Sequence, residues 1–523
     1  MSHYIIMGIC KMSVYLGGKG CIIAVILLLV GVSIVPDLGA NGIFDNTIYV
    51  DDDNTEGPWD GTQEHPYQYI QDGIDAASDG DTVYVYSGLY YENVVLDKSI
   101  DLIGEGRDTT IVDGNETAFV IKIDADSVTL CNFTVQNSGI ESSAIGGIMV
   151  ESNYNSITSN NVYNNCIGIH LVYSNNNIIH GNEISFNFIS GIRLLNSTNN
   201  IISGNIVDSN GLDVLQYYLV PGINFEQSSN NILLDNIFSN NAIGISLAYS
   251  SNNNIISGND VKNSEYAGIN LTDSSGNCVS RNIISNNNEY GIYVDDSPDN
   301  KIVQNNIIMN KRNAYFKDCD NTWDGNYWNR FRLLPYLILG KTNSKLRVEA
   351  DWHPSKIPNE IVSNPFAIIE TNMGTMKLEL YKDKVPITVE NFIKLANDGF
   401  YDALVFHRVI DDFVIQGGGY YANGTYKTSP YGSIELEIHS DVRHVDGAIS
   451  MARTSDPNSA TSQFFICDGK QSFLDDNYAA FGKIIVGIDV LRDAASVETT
   501  TKYRMQDWPV NDVIIESVTI LNQ

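Results

Sequence analysis

Asn177-Ile178-Ile179-His180-Gly181-Asn182-Glu183-Ile184-Ser185, followed by Gly191-Ile192-Arg193-Leu194, is one unit of a repeat whose recurrence decides the fold of most of this chain. The Gly-Ile pair returns at Gly147, Gly168, Gly191, Gly222, Gly244, Gly268 and Gly291, in steps of 21, 23, 31, 22, 24 and 23 residues. A second marker, Asn182, Asn205, Asn236, Asn259 and Asn282, steps by 23, 31, 23 and 23. A third, Asn177, Asn200, Asn231 and Asn254, steps by 23, 31 and 23. All three lengthen at the same place, so one insertion near Leu212 to Val220 accounts for them.

A fixed period in this range signals a solenoid. The local pattern selects which one. Gly168-Ile169-His170-Leu171 and Gly244-Ile245-Ser246-Leu247 alternate with period two, as strands do. Asn, Ser and Gly lie between them as turn formers. No stretch carries a helical period. The expectation is a right-handed parallel β-helix with three short strands per coil. Asparagines at equivalent turns should stack into ladders that satisfy buried backbone groups. The array should begin near Asn46, with a capping helix over Tyr69 to Ser78 and strands at Thr82 to Tyr86, Glu92 to Val95 and Ser99 to Ile103. At its far end, Trp323 to Trp328 and Leu334 to Lys341 should plug the last coil.

This region, about residues 45–355 in repeats of about 22–24 residues, resembles the pectin-lyase-like, NosD-type β-helix family of carbohydrate-associated surface proteins. The Asn-x-x-Ile and Gly-Ile-x-Leu repeats carry the resemblance, and they specify a fold rather than a function. It implies a structural scaffold or a cell-surface glycan as partner. Glycan cleavage is a third reading, and it needs clustered carboxylates or a Ca²⁺ site with a nearby Arg or Lys base. The residue after each Gly-Ile pair should face outward, giving the column His170, Arg193, Asn224, Ser246, Asn270 and Tyr293. Two positions further on stand Glu226 and Asp295, three coils and so roughly 14 Å apart, too far to act as a pair.

From Phe366 the repeats stop. Ala367 to Thr371 and Met376 to Tyr381 read as a hairpin around Met373-Gly374, and Pro386 to Asn397 reads as a helix capped by Thr388. Five ordered blocks follow: Phe406-His407-Arg408-Val409-Ile410 with Phe413-Val414-Ile415-Gln416-Gly417-Gly418; Gly447 to Arg453; Ser462 to Ile466; Phe473-Leu474-Asp475; and Tyr478 to Lys483. In this order they resemble the cyclophilin-type peptidyl-prolyl cis-trans isomerases over residues 366–523. The resemblance implies a closed β-barrel with flanking helices, clients that are proline-containing peptides or proteins, and no cofactor or metal. It assigns Arg408, Gln416, Phe413 and His407 to catalysis. It assigns Val414, Ala452, Arg453, Gln463, Phe465, Phe473, Leu474 and Tyr478 to substrate binding. Phe473 replaces the Trp of cyclosporin-sensitive members and Tyr478 a common His, so weak cyclosporin binding is expected. A degenerate cyclophilin used only for binding is the competing reading.

The whole chain is thus expected to be multidomain and mainly β, with a linker at 356–365. The net charge of −32 over 523 residues argues against nucleic-acid binding, which needs a basic face. Residues 1–40 read as a signal peptide or an N-terminal membrane anchor: Lys11 and Lys19 precede an apolar run from Cys21 to Pro36. Either reading places the rest of the chain outside the cytoplasm. The seven cysteines have no zinc-type spacing, and those beyond the leader are expected to be buried and single.

Overall fold

The computed structural model describes residues 47–140, 145–211, 220–359 and 364–521. The leader reading and the repeat insertion at 212–219 lie outside them.

Residues 47–351 wind into a solenoid of three parallel sheets, two of twelve strands (one closed by an antiparallel hairpin strand) and one of eleven. One coil consists of Ile178–His180, Glu183–Ser185 and Ser190–Leu195, and each strand pairs in register with its counterpart one repeat away. The alternation in the sequence sets which side chains point inward. Ile179, Ile184, Ile192 and Leu194 are fully buried, and their equivalents in every coil stack into one continuous core. Arg193, Asn224, Asn270 and Tyr293 lie half-buried on the outer face, as the column predicts. His170 and Ser246 are buried, His170 being flanked in the ladder by the long side chains of Met149 and Arg193.

Buried asparagines join one coil to the next. Oδ1 of Asn182 accepts both the backbone N–H and the side-chain amide of Asn160, at 2.9 and 3.1 Å, and its own Nδ2 donates to Ile157 O at 2.9 Å. The same exchange runs along Asn182, Asn205, Asn236, Asn259, Asn282, Asn305 and Asn326. A second ladder runs from Asn155 through Asn177, Asn200, Asn231, Asn254 and Asn277 to Asn300. The spacing did not announce a third, Asn165, Asn187, Asn210 and Asn241, because Ser264 interrupts it before Asn287 and Asn310. A turn N–H left unpaired in this interior would cost about 1–3 kcal/mol, so the ladders allow buried turns to exist at all.

Both ends are closed. The helix Ile70–Ala76 buries Ile70 and Ile74 over the first coil. Glu92 accepts the N–H groups of Ile70 and Gln71 at one helix end, and Lys98 Nζ donates to Ile74 O, Asp75 O and Ala77 O at the other. At the far end the hairpin Tyr336–Thr342/Lys345–Asp351 terminates two ladders. Asp351 accepts from Asn326 N and Trp328 Nε1, at 3.0 and 2.9 Å, and Glu349 accepts from Asn321 N and Trp323 Nε1. Trp328 stacks on Tyr336 with ring centroids 4.0 Å apart, so these aromatics do plug the last coil.

Residues 366–521 form an eight-stranded antiparallel sheet with edge strands Arg408–Ile410 and Ile515–Leu521. The sheet curls until its edges approach. The segment before one edge bonds to the segment before the other, through Ala403 N to Ile515 O and Phe406 N to Val513 O. Helices Pro386–Asn397 and Ile488–Ala495 flank it. Thr388 is not the cap of the first helix. It lies inside, with Pro386 starting the helix, and the Glu437 carboxylate receives Thr388 N and Oγ1 instead. Phe366, Ile368 and Leu521 pack on Ile201, Ile232 and Leu234 of the solenoid. Arg281 pairs with Asp383 at 2.8 Å beside this contact. Lys377, 3% exposed there, is held at a pKa of about 8 by desolvation.

Candidate active site

Strand pairing builds the site. Arg408 lies opposite Gln416, Gln416 opposite Phe465, and Phe465 opposite Ser450, so four strands present one row of side chains. Because successive residues alternate faces, Val409 and Ile415 go into the barrel core while Arg408 and Gln416 face out. On that outer face Val414, Phe465, Cys467 and Leu474 form a separate apolar cluster against Phe413, Ala452 and Tyr478. Above it opens a cleft of about 120 Å³ lined by Arg408, Phe413, Val414, Gln416, Ala452, Arg453, Phe465, Leu474 and Tyr478.

These nine are among the twelve residues expected from the sequence. Two of the other three adjoin the cleft. Gln463 accepts from Gln416 Nε2 at 3.0 Å, which fixes the Gln416 amide. Phe473, 68% exposed, stacks on Phe413 at 5.7 Å. His407 does not reach the cleft. Strand alternation turns it inward, where it packs on Tyr420 at 4.7 Å and on Trp508. Burial keeps it neutral, with its pKa down at about 4.

Arg408 sits partly exposed at the rim, its guanidinium carbon 5.7 Å from the Phe413 ring centre. Asp507 approaches its Nε at 3.8 Å, a partner that sequence reading missed. So was the buried support behind Phe465. The His444 ring stacks on Phe465 at 5.9 Å, and its two nitrogens contact Asp475 Oδ1 at 2.9 Å and Ser450 Oγ at 3.0 Å. Burial lowers the His444 pKa against the pull of Asp475. No local motif marks either partner, since both arrive from strands or turns distant in sequence. Arg453 closes the other end, lying over the Tyr478 ring at 4.6 Å and donating to Asn477 O. Burial pushes the Cys467 thiol, beneath the cleft, up to about 12, so it is not a nucleophile at neutral pH.

Residues 366–520 match the family model of cyclophilin type peptidyl-prolyl cis-trans isomerases. The peptidyl-prolyl cis-trans isomerase of Acinetobacter baylyi is 41% identical over 164 residues, which cover 30% of this chain and 87% of that protein. The chain belongs to the cyclophilin family.

Isomerase B of Escherichia coli is another relative of this cyclophilin, 38% identical over 158 residues that cover 29% of this chain and 96% of that one. A Cryptosporidium parvum cyclophilin structure, determined in the presence of the dipeptide Ala-Pro, is 29% identical and covers 30% of this chain and 99% of its own, with a TM-score of 0.27. The solenoid matches two further models: right handed beta helix region over residues 102–260, and periplasmic copper-binding protein (NosD) over 217–333. Copper sites are built from imidazole and soft sulfur ligands. Residues 217–333 contain no histidine; Cys278 stands on a strand and Cys319 beyond the end of the strand Arg312–Lys317, both with thiols raised by burial, and the one methionine, Met309, is exposed. This stretch does not fit the ion.

Glu226 is engaged by Arg193 at 2.8 Å and Asp295 by Lys317 at 3.0 Å, so both candidate carboxylates of the solenoid's outer column are ion-paired.

Proposed function

We propose that the cleft at Arg408 isomerises X-Pro bonds and that the solenoid is the scaffold that carries it among exported or surface proteins. The observation that carries the reading is the Arg408 guanidinium held at the rim of a small cleft floored by apolar side chains. Rotation about a prolyl amide must break resonance, against a barrier of about 18–20 kcal/mol. The catalyst needs no nucleophile. It needs an apolar seat for the ring, a grip on the backbone, and a donor aimed where the twisted nitrogen gains a lone pair. Phe413, Val414, Phe465 and Leu474 provide the seat. Gln416, anchored by Gln463, grips the backbone. Arg408 donates at the prolyl nitrogen through its planar guanidinium. Ala452, Arg453, Phe473 and Tyr478 flank the residues around the proline. His407 acts through packing beneath the Arg408 strand.

The domain division at 356–365 belongs to this reading, and the periplasmic family matched by the solenoid supports an exported location. A protease-coupled assay on a prolyl peptide tests the activity: Arg408→Ala should lower kcat/KM about a hundredfold. A wild-type rate equal to that of the variant would reduce this site to a binding module.

A further inference from the structure

The sealed end of the solenoid has a composition unlike the rest of the chain. Between Lys311 and Arg347 stand eight basic residues against three acidic, in a protein whose net charge is −32. Among the described residues, the same stretch carries the densest run of exposed large apolar side chains. Phe331, Leu333, Leu334, Leu337, Leu339 and Leu346 are 56–76% exposed. The hairpin register explains this. Tyr336, Ile338, Glu349 and Asp351 face the last coil, so Leu337, Leu339, Leu346 and Val348 share the opposite face and are left in solvent.

Beside that face opens a cavity of about 790 Å³ lined by Lys311, Arg312, Arg330 and Arg332 together with Tyr315 and Tyr336, and no carboxylate lines it. Lys311 is paired with Glu289, and Arg347 nearby with Asp320. Among the described residues, Arg330 and Arg332 have no carboxylate partner. Arg332 lies over the Tyr336 ring at 4.6 Å, and its buried Nε has no hydrogen-bond acceptor.

We infer that this end docks on a lipid bilayer surface containing anionic phospholipid, with the exposed leucines entering the headgroup boundary and the arginines taking phosphate oxygens. Apolar side chains flanked by cations are the combination such a surface binds. The chain's overall acidity does not oppose it. At about 4.8 Å per coil the twelve-strand stack is roughly 50 Å long, several times the ~8–10 Å screening length, so the distant acidic coils are electrically remote. A second copy is a poorer occupant, because it would set one basic patch against another.

Sedimentation of the full chain with vesicles tests this, using phosphatidylglycerol mixed with phosphatidylcholine against phosphatidylcholine alone. Arg330→Glu with Arg332→Glu, and separately Leu333→Asp with Leu334→Asp, should each weaken binding to the anionic vesicles at least tenfold. The charge variant should match wild type on phosphatidylcholine. Residues 1–40 are common to all three chains and cancel in the comparison. An unchanged isomerase rate and melting curve would show that the variants fold. The proposal is overturned if the variants sediment like wild type. It is equally overturned if the wild type ignores vesicles while retaining an acidic polysaccharide, or while forming a dimer that Leu333→Asp with Leu334→Asp disrupts.

Discussion

The solenoid and the barrel obtain stability in opposite ways. In the solenoid every coil repeats the same bonds to its neighbours, polar groups line the turns inside, and nearly all order is between residues about 23 positions apart. In the barrel the polar interior is sparse, and residues far apart in sequence meet once each: Arg408 and Asp507, His444 and Asp475, Gln416 and Gln463. The first arrangement gives a long repeating body whose coils differ little from one another between its two closed ends. The second gives one place with a chemistry of its own. Removing a single ladder residue should therefore damage stability and spare catalysis, and removing a cleft residue should do the reverse.

The largest effect is expected from Asn236→Ala. It leaves the N–H and side-chain amide of Asn205 and the carbonyls of Ile202 and Leu234 without their partner, at a cost of about 4 kcal/mol. Denaturant melts should record that loss while kcat/KM per folded molecule stays constant. Next comes Arg408→Ala. The expected hundredfold loss of rate equals about 2.7 kcal/mol of transition-state stabilisation, with no change in melting temperature. A comparable loss of stability would place Arg408 in the framework and erase the contrast.

His407 sharpens the comparison through pH. Its folded pKa of about 4 lies below its ordinary 6.5, so its contribution is complete above pH 6.5 and is lost as pH falls toward 4. At pH 5 that amounts to about 2 kcal/mol. His407→Phe should remove this part of the acid sensitivity, seen as a smaller stability difference between pH 7 and pH 5. The smallest effect belongs to the seam between the regions. Arg281→Ala breaks the ion pair to Asp383 and should lower stability by about 1 kcal/mol or less, since a partly hydrated pair contributes little. A larger loss in calorimetry would mean that the two regions melt as one unit.

The two regions were also legible to different degrees. Periodicity exposes the solenoid because each coil restates the same demand for inward Ile or Leu and a turn Asn. The ladder through Asn165 and Asn241 escaped because Ser264 stands where the next asparagine is due, and its buried hydroxyl, without a hydrogen-bond partner, does not continue the exchange. In the barrel, the ordered blocks announce the cleft lining. Asp507 and His444 stayed hidden because nothing local distinguishes them from a surface acid and a core histidine, and Asp475, although it stands in a quoted block, showed no partner there. His407 was drawn to the site by its neighbour in sequence, yet adjacent residues on a strand face opposite ways.

The ladders have a direction. Each coil's turn amides are satisfied by side chains of the coil that follows, so during synthesis the most recent coil is always unfinished. It holds open donors until the next 23 or so residues emerge. Glu349 and Asp351 end this dependence by offering carboxylate oxygens where another asparagine would otherwise be required. They are the full stop of a sentence that could otherwise be extended indefinitely, and a chain cut short of them would present a templating end to any other unfinished copy.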